Sequence, residues 1–138
     1  MTKFLLTVDY NGGVVTAPMT EWAPADVKAH LDYYQALNKR LAESGELIEA
    51  NALTGPELAK VVTSDGASTR VITDGPFAES KELLAGYELV DVDSEARAIE
   101  IAARFSCVPG PDGVPLQQPI GVRRLLGELD SDLLSSDL

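Results

Sequence analysis

The sequence predicts an α+β fold of the ferredoxin-like kind, a βαββαβ order with an extra β-hairpin, in which one antiparallel sheet carries its helices on a single face. Three observations predict it. Short stretches with apolar residues at every second position alternate along the chain with two longer stretches whose apolar residues recur at steps of three and four. The segments between them are rich in glycine, proline and aspartate, which interrupt regular structure. A length of 138 residues with 45% hydrophobic and 24% charged residues suits one domain around one core.

The first element is "KFLLTVDY", which sets Phe4, Leu6, Val8 and Tyr10 on one face and Leu5 and Thr7 on the other, a strand with one buried side. After the loop "NGGVVTAPMTEW", Pro24 suits a first helical position and Asp26 brings negative charge to the first turn, where the helix dipole favours it. The helix is expected to run to about Ser44, with Gly45 as its stop. Val27, Leu31, Tyr34, Leu37, Asn38 and Leu41 form its inward stripe, and Lys28, Asp32, Lys39 and Glu43 its wet face. Trp22, just before it, suits either a lid or a hydrophobic staple.

"ELIEANAL" is a second strand, and "AKVVTSDGASTRVIT" is a hairpin because Asp65-Gly66 lies between two β-branched runs. "YELVDV" is a further strand, and Ser94 or Asp93 caps a second helix, "EARAIEIAARF", with Ala98, Ile101, Ala102 and Phe105 inward. The segment "SCVPGPDGVPLQQP", with four prolines and two glycines, is a loop. "IGVRRLL" closes the sheet with Ile120, Val122, Arg124 and Leu126 on one face, where a buried Arg124 would need a carboxylate. Residues 1–126 therefore make the domain, and 127–138 an acidic C-terminal tail. Helices on one sheet face leave the other bare, so the expected assembly is a homodimer whose sheets meet face to face as a dimeric α+β barrel.

Composition narrows the chemistry. A net charge of −11 repels a phosphate backbone and argues against direct nucleic-acid binding. No apolar run approaches the roughly 20 residues of a membrane span, and the start of the chain is too mixed for a signal peptide, so no membrane association and a cytoplasmic location are expected. The single cysteine, Cys107, agrees with a reducing compartment and is expected to pack rather than react. One histidine and one cysteine do not supply a zinc site, and no calcium-loop spacing occurs, so neither metal nor cofactor is expected.

The densest polar stretch is "TDGPFAESKELLAGYELVDV", Thr73 to Val92. Asp74, Gly75 and Pro76 form a turn in which the aspartate can accept backbone N–H groups, and Phe77 would anchor the corner. Continued as "DGPFAESKELLAGYELVDVDS", this run resembles the signature of the DGPF family within the YCII-related superfamily, and the resemblance extends over residues 3 to 126. It implies a ferredoxin-like protomer, a dimeric barrel and association with a sigma-factor system. In the wider group it implies an acid–base pair, a histidine near the start of the first helix with an aspartate before a proline after the second. His30 matches the first position, whereas Val108-Pro109 stands at the second.

Two functions follow as expectations. The first is an accessory module that binds an unknown small molecule at a pocket walled by the first helix, the sheet and the corner at residues 74–77, with Asp74, Glu79, Lys81 and Tyr87 as ligand-binding candidates at its mouth. The second is a small cofactor-independent enzyme acting on a compact, even cyclic, substrate. There His30 is the catalytic base, oriented by a substitute carboxylate such as Asp74 or Asp9.

Overall fold

The computed structural model describes residues 1–9, 13–15, 17–72 and 84–127. Its strands are β1 (Thr2–Asp9), β2 (Leu47–Ala52), β3 (Val61–Ser64), β4 (Thr69–Ile72), β5 (Leu84–Val92) and β6 (Ile120–Arg124), with helices α1 (Pro24–Glu43) and α2 (Glu95–Ser106). Four strands form one antiparallel sheet in the order β2-β5-β1-β6, the ferredoxin-like arrangement with the first and third core strands at the centre. β3 and β4 pair separately as the expected extra hairpin. Its turn is four residues long, because the Asp65 carboxylate accepts from the backbone N–H groups of Ala67 and Ser68 at 2.9 and 2.8 Å and Gly66 takes φ +92°.

The core lies between the sheet and the two helices. Phe4 and Leu6 of β1 and Val90 and Val92 of β5 meet Leu37 and Leu41 of α1 and Ala98, Ile101, Ala102 and Phe105 of α2. Each set follows its element's period, two along the strands and three or four along the helices, so the pattern in the sequence is the pattern in the core. Ser94 caps α2 by accepting from the Arg97 N–H at 3.1 Å.

α1 ends in a tight reversal. Gly45, at φ +81°, lets the Glu46 N–H reach the Leu41 carbonyl at 2.9 Å and its own N–H reach Ala42 at 3.1 Å. The Glu46 carboxylate then receives Arg97 Nε at 2.7 Å and Nη2 at 2.9 Å, a two-pronged pair tying the end of α1 to the start of α2. That pairing, with help from Ser44, holds the Glu46 carboxyl down to about 2.

Three packing expectations need correction. Leu31 is 49% exposed, because the inward stripe of α1 passes through Val27, His30, Tyr34, Leu37 and Leu41 and leaves it on the wet side. Cys107 is exposed; it is the C-cap of α2, past the last buried residue of the helix, Phe105. Arg124 is exposed at the last position of β6, so the strand does not bury its guanidinium.

Candidate functional site

The stripe of α1 steps by three, four, three and four from Val27 to Leu41, and His30 occupies its second position. The imidazole is therefore carried inward and is only 7% exposed. Its Nδ1 lies 3.0 Å from the Pro109 carbonyl oxygen. A carbonyl only accepts, so Nδ1 carries the proton and neutral His30 presents Nε2 as its basic nitrogen. Burial lowers the His30 pKa below 6.5, and the bond to Pro109 opposes that only in part.

The proline-rich loop supplies that carbonyl because it is itself folded. Val108 is fully buried, Leu116 N–H donates to the Val108 carbonyl at 3.0 Å, Gly110 N–H donates to Val114 at 2.8 Å, and Val14 N–H donates to Leu116 at 2.9 Å. Gln118 Nε2 adds a bond to the Asp9 carbonyl at 3.1 Å, closing the loop onto the end of β1. The expected aspartate is thus replaced in its orienting role by a backbone oxygen one residue beyond Val108.

Aromatic rings enclose the imidazole. Trp22, whose Nε1 donates to the Ala17 carbonyl at 3.1 Å, stands edge-on to His30 with centroids 5.4 Å apart. Tyr34, one turn along α1, lies 5.2 Å from the imidazole and 5.6 Å from Phe105. Trp22, the residue before the N-cap of α1, thus packs against the histidine.

The sheet contributes a second polar group to this core. Along β5, Gly86, Glu88, Val90 and Val92 alternate onto the buried face, and Glu88 pairs in register with Leu6 of β1 and Ala50 of β2. Glu88 is 5% exposed, and its buried Oε2 has no hydrogen-bond partner among the described residues. Burial alone pushes its carboxyl up to about 7. Tyr34 is its electrostatic neighbour: burial first, and then the Glu88 charge, push the phenol up to about 12. On the same face Gly86 and Ala52 pair with each other, so the sheet beside Glu88 carries small side chains. A Cβ on Gly86 would meet the Asn51 carbonyl oxygen at 2.9 Å.

The other candidate residues lie elsewhere. Tyr87 is one step from Glu88 and so faces the opposite side of the sheet, where its hydroxyl accepts from Asn51 Nδ2 at 3.0 Å and donates to Glu49 Oε2 at 3.2 Å. Asp9 follows the same alternation outward with Leu5 and Thr7. Asp74, Gly75, Pro76, Phe77, Glu79 and Lys81 lie outside the described residues. Sequence reasoning missed Glu88, the Pro109 carbonyl and Tyr34 as parts of the site. The signal for Glu88 was present, since a strand that turns Val90 and Val92 inward turns Glu88 inward too. Among the described residues no group of three metal-binding side chains occurs, and no helix is long and apolar enough to cross a membrane.

An antiparallel sheet under two helices, with a histidine and a carboxylate drawn into the layer between them, defines a small ferredoxin-like α+β protein with a buried ionisable seam. The chain belongs to the YCII-related domain family, whose model matches residues 2–110. It is similar to Uncharacterized protein R00369 of Rhizobium meliloti (strain 1021), with 29% identity over 122 residues, 88% of this chain and 94% of that protein. The family match stops before β6, which nevertheless pairs with β1 along Phe4 to Val8 and so belongs to the same sheet.

Proposed function

We propose that the chain is a small acid–base enzyme that binds a compact molecule between α1 and the sheet and takes a proton from it through His30 Nε2. One observation carries this reading: the imidazole is neutral, fixed in a single tautomer by Pro109, and shares its layer with a buried carboxyl raised to about 7. Burial moves the two groups in opposite directions, the base downward and the acid upward, which favours a neutral imidazole beside a protonated carboxyl. A buried carboxylate oxygen without a partner is destabilising, and a ligand that completes it gives the arrangement a use.

Binding without turnover is the second reading, and one observation favours it. The partner orienting His30 is a carbonyl and not a carboxylate, so an imidazolium formed during catalysis would gain less stabilisation there.

The wider setting is also proposed. Membership of the DGPF subgroup rests on the run from Asp74 to Phe77 with Gly86-Tyr87, and the sigma-factor-associated regulatory role rests on that resemblance. A homodimer is supported by the helix-free sheet face, where Leu5, Thr7 and Leu89 are only half-buried in the single chain. The acidic tail is proposed to lie outside the domain, and a cytoplasmic site fits the lone cysteine.

His30 is the chain's one histidine, so modification by diethyl pyrocarbonate, followed by ultraviolet difference absorbance, reports on it alone. The expected result is reaction at Nε2 with a midpoint below pH 6.5, and protection by small molecules found in a fragment screen. An imidazole that stays unreactive in the folded protein, with no fragment bound near it, would overturn both readings.

A further inference from the structure

We propose that Glu88 is the recognition group for a cationic ligand, a small molecule whose amine or amidine N–H groups complete the orphaned carboxylate between α1 and the sheet. The inference rests on the reading that this layer binds a small molecule, and adds the chemical class. It starts from the unpaired atom. Glu88 Oε2 is enclosed without a hydrogen-bond partner among the described residues, on a side chain only 5% exposed, whereas buried carboxylates are ordinarily paired.

The groups around it say what fits. Tyr34 and His30 of α1 face the layer, the first a phenol held protonated and the second a neutral imidazole, while the residues in register with Glu88 are Leu6 of β1 and Ala50 of β2, neither of them ionisable. Burial, rather than a neighbouring charge among the described residues, shifts Glu88. An anionic ligand would meet a like charge there. A cation would find a carboxylate with the buried ring of Tyr34 as its electrostatic neighbour, a pairing of negative charge and aromatic surface that suits an ammonium or amidinium. Gly86, Ala50 and Ala52 keep the adjoining sheet surface low, and the net charge of −11 concentrates cations and repels anions at a distance.

The test uses the full-length protein with benzylamine and benzamidine as cationic probes, and benzyl alcohol and benzoate as neutral and anionic counterparts. Binding is followed at pH 7 by amide shifts in nitrogen–proton spectra, and proton release by calorimetry in two buffers of different ionisation enthalpy. The expected result is that the cationic probes bind at least tenfold more tightly than their counterparts. They should shift the Glu88 and Tyr34 amides and release a fraction of a proton as the carboxyl ionises. Glu88→Gln should weaken cation binding tenfold or more and abolish the release, whereas His30→Gln should leave the release in place. Glu88→Leu, with the folded spectrum as control, provides a second removal of the carboxylate.

Equal binding of benzyl alcohol or benzoate, undiminished binding to both Glu88 variants, or no binding of either cation would each overturn the proposal. Failure of the cations while another fragment still protects His30 from modification would sink this inference alone. An unreactive His30 with no bound fragment would sink the functional reading beneath it.

Discussion

Replacing Glu88 by glutamine removes a titration that folding itself has displaced, and its effect on stability should depend on pH in one direction. In the unfolded chain the carboxyl loses its proton near 4.5, and in the folded chain near 7. The folded state therefore binds more protons between those values, and stability falls as pH rises through the window. At about 1.4 kcal/mol per pH unit, the separation corresponds to about 3 kcal/mol, and at 5% exposure solvent screening removes little of it.

Glutamine has the same shape and no charge to bury, so Glu88→Gln should gain about 3 kcal/mol relative to the native chain between pH 4.5 and pH 8. Urea denaturation of both proteins at several pH values measures this, with the slopes checked for equality. The comparison is made as a difference because His30 acts in the opposite sense. Its lowered pKa contributes stability that is present above 6.5 and lost as pH falls, and this contribution is common to both proteins. Parallel stability curves across the window would refute the argument, because they would mean that Glu88 ionises in the folded protein as readily as in the unfolded one.

Two further predictions concern the neighbouring elements. Nitrogen-15 spectra of the single imidazole should show Nδ1 protonated and Nε2 bare at pH 7, with a titration midpoint below 6.5; the reverse tautomer would remove the bond to Pro109 and with it the proposed base. Arg97→Met should destabilise the fold by about 1 kcal/mol at pH 7, a modest figure because the pair is partly open to solvent. Glu46 is held down to about 2, so its stabilisation is present above 4.5 and lost as pH falls through 2. Urea denaturation of the variant and the native chain should therefore converge toward pH 2, and a constant difference would contradict the pairing.

The layout of the fold was legible because each element announces its period. The alternation of Phe4, Leu6 and Val8, and the spacing of Ala98, Ile101, Ala102 and Phe105, required no knowledge of tertiary structure to place facing a core, and all seven are buried. α1 was harder, because one of its inward positions is His30, a residue that a count of apolar side chains skips. Apolarity alone puts Leu31 in the stripe, although it sits on the wet side. Reading the helix by its three-and-four step from Leu41 backward, through Leu37 and Tyr34, arrives at His30 from geometry alone.

The rest of the site was illegible for a different reason: its partners come from backbone atoms and from distant sequence. The sequence pattern treated the loss of an aspartate before Pro109 as the loss of a partner for the imidazole, because side-chain identity is all that a motif records. Pro109 offers its carbonyl to His30 across 79 positions, and it can do so because the surrounding loop bonds inward through Val108, Gly110, Leu116 and Gln118. The consequence reaches the chemistry. A carbonyl fixes the tautomer without adding a negative charge, so His30 stays neutral and weakly basic. Glu88 enters the same layer from the sheet without another carboxylate seen to crowd it. An aspartate beside the imidazole would have placed two acids in one poorly solvated layer, raising Glu88 further and favouring the charged imidazolium. The replacement of a side-chain acid by a backbone oxygen and the presence of a buried glutamate are thus electrostatically consistent: each makes the other less costly.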